Sequence, residues 1–300
     1  MTFRMTGEQK EIRDQILRIC AQFDDDYWLD RDRNGGFPHD LHRAMADGGW
    51  LGIAMPEDVG GAGLGITEAT IMMQAIAESG AGASGASAIH MNIFGLNPVV
   101  KFGTDEQRAR MLPPLIAGDQ KACFAVTEPT TGLDTTKLKT IAVRQGDRYV
   151  VHGQKVWIST AQVAHKMLLL ARTTRLEDVT NPTEGLSLFY TDLDRNFVDV
   201  REIEKMGRKA VDSNEMFIDR LPIPAEDLIG EEGKGFRQIL HGLNPERILV
   251  AGECIGIARN ALVRAAQYAN ERVVFGRPIG QNQGIQHPLA MAWARVEAAN

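Results

Sequence analysis

Lys121-Ala-Cys-Phe-Ala-Val-Thr-Glu-Pro-Thr-Thr-Gly-Leu-Asp134 and, after a β-patterned interval, Gly153-Gln-Lys-Val-Trp-Ile-Ser159 form the stretch around which the chain is organised. Residues 122–126 and 155–158 are apolar or β-favouring, and Pro129, Gly132, Gly146 and Gly153 punctuate them as turns. The pattern predicts a sheet with two ends free to face one flat ligand.

Outward from this stretch the apolar period changes twice. Upstream, Ile12, Ile16, Ile19, Cys20 and Phe23 recur at helical spacing and predict a first helix that ends near the acidic run Asp24 to Asp26, itself read as solvated. A short helix is expected between Pro38 and Gly48, then a glycine-rich loop from Met55 to Gly65 and a helix capped by Thr67. Another is expected around His90 to Val100, and Thr104 with Gln107 makes a capping box before Pro113-Pro114 breaks the pattern. After Gly118, short β-branched runs appear at 140–145, 148–152, 167–171, 186–191 and 214–218, with a hairpin at Gly146-Asp147 and an exposed loop over 173–184. From Gly235 helical spacing returns, restarts after Pro245, and is still running at Asn300. The fold class is α+β and multidomain: an N-terminal helical domain over 1–118, a β-barrel-like sheet domain over 119–232 and an incomplete C-terminal helical bundle over 233–300.

Composition narrows the function classes. A net charge of −6 argues against nucleic acid as a partner, since binding phosphate needs a basic face. Cys20, Cys123 and Cys254 are too few and too scattered for a disulfide framework or zinc cluster, and read as small core residues in a reducing compartment. No run approaches the roughly 18 apolar residues of a membrane span, so the expectation is a cytoplasmic protein. Gly60 to Gly65 is glycine-rich, but a dinucleotide loop must follow a buried strand, and helices flank this one. His39 and His42 lack a third ligand at a sensible spacing and read as surface histidines, so no metal is expected. Ser84 misses nucleophile-elbow spacing, and its glycine-rich surroundings read as close helix packing.

Three features have both a structural and a functional reading. Trp157 is either a core tryptophan at a strand end or a ring beside a planar cofactor, with Ser159 offering it a hydroxyl. Thr127-Glu128-Pro129 is either a strand-exit turn or a lining of that cofactor. Asn244-Pro245-Glu246-Arg247 makes a good helix start, in which capping alone would account for Glu246.

Taken in order, these segments resemble the acyl-CoA dehydrogenase family, flavin enzymes that desaturate acyl-CoA thioesters. The resemblance spans the chain and is carried by Val126-Thr-Glu-Pro129 with Gly132 and Asp134, by Val151 to Ser159, and by Glu271-Arg-Val-Val-Phe-Gly276 followed by Gln283. It implies that Phe124, Val126, Thr127 and Gly132 line the isoalloxazine of FAD, with Trp157, Ile158 and Ser159 on its other side, the Ser159 hydroxyl replacing the family's usual threonine. Arg272, Phe275 and Gln283 match residues with which a neighbouring subunit holds the rest of FAD, implying a homodimer or homotetramer. Asn244, where most members keep an aspartate, and Arg247 match the substrate helix. Leu133 stands where the family commonly has a serine that bonds acyl-CoA. The chain also stops before the family's last helices, so it is either a fragment or closes its bundle differently.

The chemistry explains the residue types. A thioester α-proton is weakly acidic, so a carboxylate must meet it in a dry site where desolvation raises its basicity. In one subset of the family, resembling isovaleryl-CoA and long-chain dehydrogenases, the base immediately precedes the arginine of the substrate helix. Here that residue is Glu246. The resemblance thus implies an oxidoreductase with acyl-CoA as substrate and electron-transfer flavoprotein as partner. The competing expectations are a flavin-free interaction protein and an oxygen-using oxidase or monooxygenase on the same fold.

Overall fold

The computed structural model describes residues 4–300, at 92 and 94 by backbone alone. Helices come first: α1 Gly7–Cys20, α2 Asp25–Asn34, α3 His39–Asp47, α4 Ile66–Ile76, α5 Gly82–Phe94, α6 Asn97–Phe102, α7 Asp105–Met111 and α8 Pro113–Ile116. Thr6 and Gln9 close a capping box on α1, and Ile12, Ile16 and Cys20 bury its apolar stripe against Leu41, Met45, Met72 and Ile76. The expected box of Thr104 with Gln107 caps α7.

Several local expectations are corrected. The acidic run Asp24 to Asp26 is exposed, as read, but two of its members also act locally: Asp24 accepts a hydrogen bond from the Tyr27 amide to cap α2, and Asp25 pairs with Arg264 at 2.8 Å. Gly65 caps α4 in place of Thr67, with the Glu68 carboxylate accepting from the Gly65 amide. Helix α5 begins at Gly82, and Pro113-Pro114 opens α8, where missing amides cost nothing. His42 is buried, and burial pushes its imidazole down to about 3. Cys254 is exposed, whereas Cys20 and Cys123 are core residues.

The middle of the chain forms β1 Ala122–Ala125, β2 Ile141–Gln145, β3 Arg148–Ser159, β4 Lys166–Arg172, β5 Leu186–Asp192, β6 Val198–Glu202, β7 Ser213–Pro224 and β8 Leu228–Ile229. Their order is β6-β7-β3-β2-β4-β5-β8, with β1 parallel to β4 off this path. Only the pair Ile141↔Arg172 joins β2 to β4, so the sheet folds there and its halves face each other. Tyr149, Val151 and Ile218 of one half pack against Met167, Leu169 and Phe189 of the other. The outer faces of β4 and β5, through Leu168, Leu170, Leu188 and Tyr190, meet Leu112, Leu115 and Ile239. Burial on both faces explains why these two strands read as continuous apolar runs.

Gly153 is not a turn. It lies within β3, paired with Ile218 beside a register shift, and a Cβ there would strike the side chain of Thr140.

After the sheet come α9 Gly235–Glu271, the hairpin strands β9 Val273–Val274 and β10 Arg277–Pro278, and α10 Gln283–Ala299. Pro245 does not start a helix: it lies inside the 37-residue α9. Its missing amide forfeits one bond to the carbonyl of residue 241, yet packing holds both sides of the gap. Leu249 enters the N-terminal helical core, and Gly252 and Gly256 lie against α4, where a Cβ would meet Thr70 and Gln74. Among the described residues no helix is long and apolar enough to cross a membrane, and no cluster of His, Cys, Asp or Glu could hold a metal.

Candidate active site

A cleft of about 680 Å³ is walled by the end of β3, the turn after β1, α5 and α9. The sheet wall is held from beneath by a buried ion pair. Lys155, with 0 % of its side chain exposed, donates to Glu128 Oε1 at 2.9 Å and to the carbonyls of Val126 and Leu170 at 3.0 and 2.7 Å. The Glu128 carboxylate also accepts from the amides of Lys139 and Thr140 at 2.7 and 3.0 Å. Burial pushes Lys155 down to about 8 despite Glu128, while for Glu128 the same burial is outweighed by Lys155 and the donors, leaving it below the usual carboxylate range. The Val156 amide then donates to the Thr127 carbonyl at 2.9 Å, so the two halves of the organising stretch meet at the cleft floor.

The ends of that wall are shaped by irregular backbone. The β3–β7 register shifts between Lys155 and Ile158, and Trp157 and Thr160 take left-handed φ angles of 62° and 63°. The bulge turns the indole out of the sheet core, leaving Trp157 62 % exposed in the cleft, which rules out the core reading. Asn214 fixes the strand end by donating to the Ile158 carbonyl at 2.8 Å. A flat indole flanked by the hydroxyls of Thr127 and Ser159 suits a planar heteroaromatic ring, and the cleft volume falls in the range of cofactor sites. The residues present therefore fit a flavin.

Helix α9 supplies the opposite wall through Glu246, Val250, Glu253, Cys254 and Ile257, a stripe at helical spacing distinct from the Leu249, Gly252 and Gly256 face on α4. Burial raises Glu246 above the ordinary glutamate range and neighbouring Glu253 raises it further, against the pull of His90 and Arg247. Its interior position in α9 removes the amides of a first turn, which would have favoured the ionised form.

The cleft brings together Phe124, Val126, Thr127, Gly132 and Leu133 with Trp157, Ile158 and Ser159, and sets Glu246 and Arg247 across from them. Leu133, fully exposed, lies on its rim. Asn244 is outside the lining: it neither caps a helix nor faces the cleft, and its Oδ1 accepts from Arg247 at 2.6 Å. Arg272, Phe275 and Gln283 are not in the cleft either. They follow the end of α9, about 21 Å along the helix from Ile257 by helical rise. Phe275 is 101 % exposed at the tip of the β9–β10 hairpin with φ 52°, an apolar ring in a conformation costly for a side chain.

Sequence reading missed Ser87, His90, Glu253 and Arg208. His90 Nδ1 pairs with the buried Glu253 Oε1 at 3.0 Å, joining α5 to α9, and Arg208 enters from the loop between β6 and β7. The signal was faint: Glu253 lies seven residues after Glu246, two helical turns on the same face.

Sequence profiles of the acyl-CoA dehydrogenase N-terminal, middle and C-terminal domains match residues 6–119, 123–221 and 233–300. An acyl-CoA dehydrogenase of Mycobacterium tuberculosis is 32 % identical over 309 residues, which cover 99 % of this chain and 76 % of the relative. Among solved structures, butyryl-CoA dehydrogenase from Megasphaera elsdenii superposes with a TM-score of 0.92 at 28 % identity, over 99 % of this chain and 78 % of that one. A glutaryl-coenzyme A dehydrogenase in complex with glutaryl-CoA gives 0.93 at 28 %, over 99 % and 75 %.

Proposed function

The chain belongs to the acyl-CoA dehydrogenase family of FAD-dependent oxidoreductases, and from that premise we propose that its cleft desaturates an acyl-CoA thioester with Glu246 as the base. One observation carries this reading: Thr127, Trp157 and Ser159 stand on one wall of the cleft and a carboxylate of raised basicity on the other. The space between suits a flat ring with a thioester laid on it.

Phe124, Val126, Thr127, Gly132, Trp157, Ile158 and Ser159 hold the isoalloxazine in this scheme, and Leu133 and Arg247 touch the substrate. When bound, FAD accepts the hydride that leaves the substrate β-carbon. Glu246 takes the α-proton onto its carboxylate, and the apolar residues Val250 and Ile257 on the same wall keep water from it. The fully exposed Phe275, with Arg272 and Gln283 nearby in sequence, is assigned to the FAD of a second subunit, making the working unit a homodimer or homotetramer. We place the domain limits at residues 118 and 232 and assign reoxidation to an electron-transfer flavoprotein. Visible flavin absorbance of the purified protein, and its anaerobic bleaching by a panel of acyl-CoAs, test the reading as a whole.

Two substitutions probe the assigned roles. Arg272→Ala is expected to weaken FAD retention and oligomerisation together, read by flavin content and light scattering; a monomer with full flavin occupancy contradicts the shared site. Ser159→Ala is expected to slow flavin bleaching by ~10-fold, the scale of one lost hydrogen bond. Unchanged bleaching kinetics would place the hydroxyl elsewhere.

A further inference from the structure

Arg208 is a cation built into the cleft. Its loop, between β6 and β7, takes a left-handed φ of 56° at this residue, a conformation that L side chains seldom adopt. The loop is held there from both sides: the Arg208 amide donates to Asp32 Oδ1 at 3.1 Å, and Lys205 Nζ donates to the Arg208 carbonyl at 3.1 Å. The guanidinium then reaches across the cleft wall, to Ser87 Oγ on α5 at 3.0 Å and Ser159 Oγ on β3 at 3.5 Å.

Both partners are neutral hydroxyls. A guanidinium stays charged, and hydroxyls hydrogen-bond to it without neutralising it. Among the described residues Arg208 takes part in no ion pair, although Glu253 lies in the same cleft; that carboxylate is committed to His90. Glu246 answers to His90, Arg247 and Glu253. Arg208 therefore presents a partly enclosed positive charge, flanked by two hydroxyls, to whatever occupies the space beside α9.

We propose that the acyl group handled here ends in a carboxylate, which Arg208 binds together with Ser87. The substrate class is then the monothioester of a dicarboxylic acid. The inference rests on the acyl-CoA reading of the cleft and adds its specificity. Arg208 pairs with the carboxylate as a charged fork, the Ser87 hydroxyl donates to one of its oxygens, and a methyl-ended chain would leave the cation uncompensated. Because His90–Glu253 and Glu78–Asn260 contacts show α5 and the segment before it running antiparallel to α9, Ser87 lies farther from Glu246 than His90 does. The carboxylate is thus held away from the α-carbon.

The experiment is an isothermal titration of the FAD-loaded protein with CoA thioesters in pairs of equal length, methyl-ended against carboxylate-ended, from four to ten acyl carbons. At one length the carboxylate-ended member is expected to bind about 10- to 100-fold more tightly, and Arg208→Gln is expected to abolish that preference. Arg208→Lys should restore part of it, because the charge returns without the fork. Equal or tighter binding of methyl-ended chains at every length overturns the proposal while leaving the dehydrogenase reading intact, as does a preference that survives Arg208→Gln. If Arg208 were only a staple between α5 and β3, the variant would lower Tm without changing the preference. If no thioester of either kind binds, the acyl-CoA reading fails, and this inference with it.

Discussion

Replacing Glu246 by glutamine is expected to lower the rate of substrate-driven flavin bleaching by ~10²–10⁴, the usual contribution of a positioned base, while acyl-CoA still binds. Glutamine keeps the size of the side chain and its helical preference, so α9 and the cleft wall should persist. What it removes is the basic carboxylate. Burial lifts Glu246 above the ordinary glutamate range, and Glu253 two turns away adds to the lift. The sign for pH follows: the base works only when ionised, so activity should fall as pH drops through its raised pKa. The loss should begin at a higher pH than for an exposed glutamate, and the variant should lack that limb of the pH profile. Bleaching of the glutamine variant at the parent rate would remove Glu246 from the mechanism.

Lys155→Met is expected to cost about 3–5 kcal/mol of stability, the scale of removing one partner from a buried ion pair. The methionine fills most of the lysine volume, so the loss comes chiefly from what is left behind: the Glu128 carboxylate and the carbonyls of Val126 and Leu170, all losing their shared donor inside the sheet. The same change loosens the turn that carries Thr127, so flavin retention should fall with stability. Denaturant unfolding with an unchanged m-value measures the first effect, and flavin content after dialysis the second. An unfolding free energy within about 0.5 kcal/mol of the parent, the range of an ordinary surface substitution, would show that the pair does not hold the turn.

The order of helices, sheet and helices was legible because apolar period is a local property, and the motifs around Thr127 and Trp157 were legible because they are contiguous. The β4 and β5 runs were easy to find for the same reason, being buried on both faces. Tertiary effects were not legible. Asn244-Pro245 carries every local mark of a helix start, yet Gly252, Gly256 and Leu249 dock α9 so firmly that the helix runs through the proline. Gly153 reads as a turn, and only the nearness of Thr140 shows why glycine sits inside a strand. Val198 to Glu202 is too short and polar to announce β6, and the Arg208 loop that follows it reaches the cleft only through contacts with Asp32 and Ser87, distant in sequence. The sequence reading of Trp157 left two alternatives because a bulge, unlike a period, leaves no local pattern.

The most direct test follows the α-proton itself. Acyl-CoA carrying deuterium at the α-carbon is incubated anaerobically with the FAD-loaded protein in ordinary water, and the recovered thioester is analysed by mass spectrometry. The parent protein should wash the label into solvent, and Glu246→Gln should bind the thioester equally well and retain the label. Loss of deuterium from the glutamine variant at the parent rate would contradict the assignment of the base to this cleft wall.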